Sequence, residues 1–288
     1  MTGKILFASD LDQTLIYSRR SMGDYGHPHL LVPIEEYKGR IISYMTTLAV
    51  KRFCEAARQA IIVPVTTRTV EQYRRVKLPI RPSYAVVSNG GHILREGHLD
   101  KKWHDKILSQ ISDKCLDIGK MEREFAKIAK PDWVTSSRRA DQLFLYFLIE
   151  RDKVPSAELK AFACWAQEQN WRLSIQGRKL YLVPKPVSKW TAVEEVLKRV
   201  GKPFVVAAGD SLLDQEMLEK ADLALAPAHG ELWATHGPKK RLHHHGENEE
   251  SLKRISFLPQ QGIVAGEAIL NHLLALCEDK KESSAISS

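Results

Sequence analysis

The stretch Lys4-Ile5-Leu6-Phe7-Ala8-Ser9-Asp10-Leu11-Asp12-Gln13-Thr14 decides how this chain is read. An apolar run of strand length that stops on acidic residues reads as a parallel strand buried on both faces, delivering polar groups at its C-terminal edge. Ile61-Ile62-Val63-Pro64-Val65 repeats the pattern and ends on Thr66-Thr67-Arg68, and Tyr84-Ala85-Val86-Val87-Ser88 ends on Asn89-Gly90-Gly91. Pro203 to Ala208 ends on Gly209-Asp210, and Leu223-Ala224-Leu225-Ala226 supplies a fifth strand. Helical stretches alternate with them: one from a cap at Thr47 to about Gln59, another from Ser188 to Val200, stopped by Gly201. Together they predict a doubly wound, Rossmann-like α/β sheet whose site lies where the strands end.

Two segments depart from that alternation. Within 15–46, Leu30–Tyr37 and Arg40–Tyr44 flank Lys38-Gly39 and read as a β-hairpin, long enough to act as a flap over the site. Residues 92–184 change character. An amphipathic stretch (Ile107–Ile128), a strand (Gln142–Leu148), a helix (Ser156–Asn170) and a hairpin (Trp171–Ile175, Lys179–Val183) have alternating rather than continuous apolar patterning. That predicts an inserted α+β domain with one sheet face covered and one open, dividing the chain into a core (1–91 with 185–288) and an insertion (92–184). Residues 227–262 read as a polar loop, Gly266–Leu276 as a last helix, and 278–288 as a tail without regular structure.

Composition narrows the function classes. The 288 residues are 43% apolar and 27% charged, which excludes a disordered or fibrous chain. No window approaches the ~18 unbroken apolar residues of a membrane span, and Asp10 and Asp12 cut short the run that a signal peptide would need. Cys54, Cys115, Cys164 and Cys277 lie far apart with no C-x-x-C pair, which argues against a zinc knuckle or disulfide scaffold and fits the cytoplasm. The net charge of +8 suits nucleic acid, an anionic small substrate or a merely solvated surface. No basic stripe interleaved with stacking aromatics is present, so a nucleic-acid module is disfavoured. The expected partner is a small phosphorylated metabolite, with neither nucleic acid nor membrane, and the chain is expected to be a monomer or small homo-oligomer.

Asp10 and Asp12, two apart on extended chain, share a face and address one point. Two such carboxylates raise each other's pKa unless a cation lies between them, so the pair predicts a metal. Gly209-Asp210-Ser211-Leu212-Leu213-Asp214 adds two carboxylates, and oxygen-only ligation suits Mg²⁺. Thr66 offers a hydroxyl and a backbone N–H to an anion, and Lys189, at a helix start, offers a positive charge. These are the parts of phosphoryl transfer through an aspartyl-phosphate.

At these residues the chain resembles the haloacid dehalogenase (HAD) superfamily of phosphatases. The motifs are D-x-D-x-T at Asp10–Thr14, the strand-end Thr66, Lys189 at a helix start and G-D-x-x-x-D at Gly209–Asp214, in that order. The place of the insertion resembles the large α/β cap of the Cof-type and sucrose-phosphate-phosphatase-like branch. The resemblance implies that Asp10 is the nucleophile, that Asp12 is the acid and base, and that Thr66 and Lys189 hold the phosphoryl oxygens. Mg²⁺ is implied on Asp10, Asp210, Asp214 and the backbone carbonyl of Asp12, and Thr14 is implied to order the motif loop. Thr67, Arg68, Asn89, Gly90, Arg138 and Arg139 are expected at the substrate, with Lys189 preferred to Lys185. The implied activity is hydrolysis of a sugar phosphate, the alternative being a phosphomutase or phosphotransferase that uses the same aspartyl-phosphate. Three departures stand out: Gln13 where glycine is commonest, its side chain expected to point away; Thr67 in place of glycine; and Leu213 in place of asparagine. Trp103, Trp133, Trp165 and Trp171 read as core, His243-His244-His245 as solvated loop, and Ser136–Arg139 as a turn before a strand.

Overall fold

The computed structural model describes residues 4–237 and 255–286. In chain order the elements are β1 (Ile5–Ser9), β2 (Leu31–Tyr37), β3 (Arg40–Thr46), α1 (Thr47–Ala57), β4 (Ala60–Pro64), α2 (Val70–Arg74) and β5 (Tyr84–Val87). Next come β6 (His92–Arg95), β7 (His98–Leu99), α3 (Lys101–Lys114), α4 (Ile118–Ala126), β8 (Val134–Ala140), β9 (Phe144–Ile149) and α5 (Ser156–Glu168). The rest are β10 (Trp171–Gln176), β11 (Lys179–Pro184), α6 (Lys189–Val200), β12 (Phe204–Ala208), α7 (Gln215–Lys220), β13 (Leu223–Pro227), α8 (Gly230–His236), β14 (Ile255–Leu258) and α9 (Val264–Ile286).

β1 is buried along its whole length because it is central: the parallel sheet runs β14-β13-β12-β1-β4, with Ile5 level with both Phe204 and Ala60. Its side chains alternate between two cores. Leu6 and Ala8 pack with Val193 and Val196 of α6, while Ile5 and Phe7 pack with Phe53 of α1 and Ile269 of α9. Both faces are thus covered, which is why the strand sequence is continuously apolar. β5 continues the sheet beside β4 through a parallel bridge between Val65 and Val86, then turns antiparallel into β6 and β7. The chain leaves β1 toward β4 on one side and returns through β12 on the other. That reversal opens a crevice at the strands' C-terminal ends.

Above the crevice stands a four-stranded antiparallel sheet, β10-β11-β9-β8. One face, with Trp171, Leu180, Leu145 and Phe147, packs on Phe125 of α4 and Phe162 of α5. The opposite face carries Ser174, Lys179, Tyr181 and Tyr146 toward the core. Residues 92–114, within the stretch read as the insertion, pack with the core: β6 pairs with β5, and Trp103 and Ile107 of α3 join the Leu6 cluster.

Several boundaries differ from the sequence reading. Thr46, not Thr47, caps α1, its side chain accepting from the Ala49 N–H. The amphipathic stretch 107–128 is broken at Cys115–Asp117, where the Asp117 side chain caps a new helix. Val134–Ala140 is an edge strand rather than a turn, its run of Ser and Arg being the polarity an exposed edge tolerates. Within 227–262 lie α8 and β14, and α9 runs on through much of the stretch read as tail. All four cysteines are free, and among the described residues no helix is long and apolar enough to cross a membrane.

One close approach sets the crevice's back wall. Gly90 has φ +96°, and a Cβ there would lie 2.0 Å from the Ser188 carbonyl oxygen, immediately before α6. Gly90→Ala is expected to destabilise the fold by on the order of 3 kcal/mol, lowering Tm by roughly 5–10 °C. Thermal unfolding followed by circular dichroism checks this.

Candidate active site

Two strand ends and two helix starts converge on a buried group of charges. Asp10 follows β1, with its N–H bonded to Ala208 O of β12 at 2.9 Å. Asp210 follows β12, Asp214 precedes α7, and Lys189 opens α6, whose N-cap is the Ser188 side chain. The Lys189 Nζ donates to Asp10 Oδ1 at 2.7 Å and to Asp214 Oδ1 at 2.6 Å. An ammonium only 2% exposed requires such partners. Both carboxylates hold its proton on: burial works against the charge, but Asp10 and Asp214 outweigh it and the Lys189 pKa rises.

The acids are not balanced in return. Asp10, Asp210 and Asp214 bring carboxylate oxygens within 4.8 Å of one another against a single ammonium. Burial, reinforced by Asp214 and Asp12, raises the Asp10 carboxyl from 3.8 to about 7 despite Lys189. Burial, then Asp10 and Asp214, push Asp210 well above its ordinary value. Oxygen-only donors with excess negative charge fit a hard divalent cation such as Mg²⁺, whose charge would reverse these shifts. Asp214 is the most heavily committed of the three, because its Oδ2 also accepts from the Ser211 N–H at 3.0 Å and Oγ at 2.6 Å.

Gln13 does not point away. It adopts a left-handed conformation (φ +61°), as a glycine there would, and its amide donates to Asp210 Oδ2 at 3.3 Å. Its carbonyl is gripped by the Tyr17 hydroxyl at 2.9 Å and by His229 Nε2 at 2.7 Å. The Gly262 N–H donates to His229 Nδ1, so it is the Nε2–H that donates to Gln13. Thr14 Oγ1 is buried without a hydrogen-bond partner among the described residues, and Leu213 packs against the core.

Asp12 does not join Asp10. The strand ends at Ser9, so the period-two geometry that predicted a shared face no longer applies there. Its carboxylate turns to Arg68, which donates from Nε at 2.7 Å and Nη2 at 2.8 Å. Desolvation raises Asp12, but the guanidinium more than offsets it and the net direction is downward. The acid still borders the cavity of about 240 Å³ that holds Asp10, Lys189 and Asp210. Thr66 is corrected in one respect: its N–H is bonded to Val86 O at 2.9 Å and is not available to an anion, while its hydroxyl accepts from the Arg68 N–H. Thr67 borders the cavity and meets the Tyr181 phenol.

The expected substrate residues divide. Asn89 lines an adjoining cleft of about 460 Å³, with its Oδ1 unpartnered. Gly90 is packing, as described, its carbonyl accepting from Trp103 Nε1 at 2.9 Å. Arg139 lies on the covered side of the upper sheet, paired with Glu122 of α4, and Arg138 is exposed, bonded to Ser137 O. Neither lines these cavities: strand alternation places Arg139 on the helix side with Leu145, whereas Arg138, level with Tyr146 on the core-facing side, is exposed on the edge strand. Lys185 is likewise engaged elsewhere, at Gln167 O and Asn170. Trp103, Trp133 and Trp171 are core, and Trp165 packs against Phe162. His243, His244 and His245 lie outside the described residues.

Residues that the sequence reading missed now line the cleft. β10 presents Arg172, Ser174 and Gln176, at its period of two, and α8 contributes Glu231. Among the described residues, Arg172 Nε, Ser174 Oγ, Gln176 Nε2 and Glu231 Oε2 are buried without a hydrogen-bond partner. Burial raises Glu231 to about 7, against the pull of Arg151. The alternation of β10 was legible, but not which side of it faced the core.

No protein-family model and no curated protein sequence matches this chain. Solved structures do. The sucrose-phosphatase of Synechocystis, determined with sucrose and phosphate, gives a TM-score of 0.63 at 14% identity, covering 95% of this chain and 98% of its own. A Thermoplasma acidophilum protein gives 0.59 at 14% identity, covering 95% and 99%. A phosphatase of the HAD superfamily from Bacteroides thetaiotaomicron gives 0.53 at 12% identity, covering 94% and 95%. The chain shares its fold with these three solved structures over nearly the whole length of each.

The raised Asp10 makes a linkage prediction for the metal-free protein. Its folded pKa of about 7 exceeds the ordinary 3.8, so its contribution is full below about pH 4 and is lost as pH rises toward 7. In the presence of EDTA, Tm is expected to fall over that window. Asp10→Asn should flatten the fall, and added Mg²⁺ should reverse it near pH 7. A Tm that climbs across the window without metal would contradict the assignment.

Proposed function

We propose that this protein is a Mg²⁺-dependent phosphatase that hydrolyses a small sugar phosphate through an aspartyl-phosphate on Asp10. The observation that carries the proposal is the Asp10 carboxylate, fixed by Lys189 at 2.7 Å among Asp210 and Asp214 on the floor of a cleft. Asp10 and Asp210, with Asp214 behind them, would hold the cation. When bound, it supplies positive charge against the phosphoryl oxygens.

The chain's own groups account for the rest. An Asp10 oxygen attacks phosphorus and the bond from phosphorus to the ester oxygen breaks; Asp12, ionised against Arg68 in the free protein, first takes a proton from solvent as the anionic substrate binds and then passes it to that oxygen. Water then attacks the phosphoryl group, Asp12 takes the water's proton, and the Asp10 carboxylate is regenerated as inorganic phosphate leaves. Lys189 neutralises charge throughout, already oriented and sheltered from water. The Thr66 hydroxyl, its oxygen held by the Arg68 N–H, keeps its proton for donation.

The sugar is supported by the unpartnered row on β10 with Asn89 and Glu231. Buried polar atoms left unpaired cost free energy that a ligand's hydroxyls would recover. The sucrose and phosphate bound by the Synechocystis enzyme are a polyol and an anion of the same kind. The +8 charge supports an anionic substrate only locally, through Lys179 beside the site, since Arg68 is already paired with Asp12 and Glu35.

Asp10→Asn is expected to abolish release of p-nitrophenol from p-nitrophenyl phosphate in Mg²⁺; retained turnover would refute the mechanism. Ser174→Ala combined with Gln176→Leu is expected to raise KM for a cleaved sugar phosphate by roughly tenfold, the equivalent of about 1.4 kcal/mol. Inhibition by inorganic phosphate should stay unchanged. Equal weakening of both would place β10 outside the sugar subsite. Measuring free phosphate against phosphate transferred to added sugars separates hydrolysis from a mutase.

A further inference from the structure

The hairpin between the first strand and the first helix holds a buried carboxylate that the proposed chemistry does not use. Glu35 is 1% exposed, at an irregularity of the β2–β3 ladder where the register shifts on either side of it. A bulge re-aims a side chain, and here it turns Glu35 inward. Its Oε2 accepts from Arg68 Nη1 at 2.6 Å and Ser43 Oγ at 3.2 Å, and its Oε1 accepts from Arg75 Nε at 3.2 Å. The hairpin is pinned there by the Lys77 N–H on Ile34 O at 2.7 Å and by a bridge from Glu35 to Val76.

Arg68 therefore spans two carboxylates: Nη1 goes to Glu35, while Nε and Nη2 form a bidentate pair with Asp12. A guanidinium is planar with its donors in fixed directions, so fixing one edge sets the other. Asp12 needs such a restraint. Its side chain is half exposed and sits past the end of its strand, bordering a cavity of about 180 Å³ shared with Tyr146, Lys179 and Tyr181.

We propose that Glu35 is a positioning residue for Asp12, acting through Arg68, and that this is what the hairpin contributes to the reaction. The proposal rests on the phosphatase reading above. Proton donation depends on sub-ångström placement of the acid, and its value depends on how much the departing oxygen needs a proton. Loosening Asp12 therefore harms strongly basic leaving groups and spares weakly basic ones. A purely structural role for Glu35 would harm both alike.

Phenyl phosphate and p-nitrophenyl phosphate share a ring and differ in leaving-group basicity, and kcat/KM reports the step in which that group departs. For Glu35→Gln, kcat/KM is expected to fall roughly 30-fold on phenyl phosphate and less than about threefold on p-nitrophenyl phosphate. Equal losses on both, or no loss on either, in the presence of an active wild type would overturn the positioning role and leave the phosphatase reading intact. A wild type that cleaves neither ester in Mg²⁺ overturns that reading, and the proposal with it. Should Glu35→Gln fail to fold, Ser43→Ala, which removes one hydrogen bond from Glu35, is read in the same way. A phenyl to p-nitrophenyl ratio lowered about threefold supports the role, and an unchanged ratio overturns it.

Discussion

The Lys189 ammonium is the interaction on which the rest of this site depends. It touches Asp10 and Asp214, and so ties together the end of the central strand, the start of α6 and the turn before α7. Buried with three carboxylates, it is stable only because each hydrogen bond is made. Removing the ammonium would leave uncompensated buried charge, so the geometry around it has little freedom. That rigidity would also suit the proposed phosphoryl transfer, because charges already oriented need no reorganisation.

Two different environments divide the acids between roles. Asp10 and Asp210 face one another across the floor and are pushed toward holding protons, a tension that a divalent cation would relieve. Asp12, two residues from Asp10, is pulled the other way by Arg68 and stands apart from the acidic group. Under the proposed mechanism, a nucleophile that metal and lysine would neutralise stands beside a carboxylate steered by a guanidinium, so that two neighbouring aspartates would take up different tasks. The antiparallel sheet above supplies what the floor lacks: neutral hydrogen-bonding groups on β10, with Lys179 and Tyr181 on β11.

Much of this was legible in sequence for definite reasons. β1 and β4 are buried on both faces, so burial wrote a continuous apolar run into each and polarity marked its end. The Ser188 cap and the left-handed Gly201 bounded α6 by local chemistry alone. What stayed hidden was non-local. That Gln13 would reach Asp210, that the Thr66 N–H would be spent on Val86, and that Arg139 would face α4 all depend on partners distant in sequence. β8 was missed because an exposed edge strand can be as polar as a turn. Glu35 carried no signal, since a bulge in a hairpin is not written in residue types.

The central claim is that the phosphoryl group passes through Asp10, and chemical trapping tests it most directly. Protein quenched during turnover of p-nitrophenyl phosphate in Mg²⁺ is treated with borohydride, which reduces an acyl-phosphate to the alcohol, and the peptide containing residues 4–19 is sequenced by mass spectrometry. Homoserine at position 10 is the expected product, absent when substrate is omitted. Sustained phosphate release with Asp10 unmodified and the reduced residue elsewhere, or with no residue reduced, would contradict it.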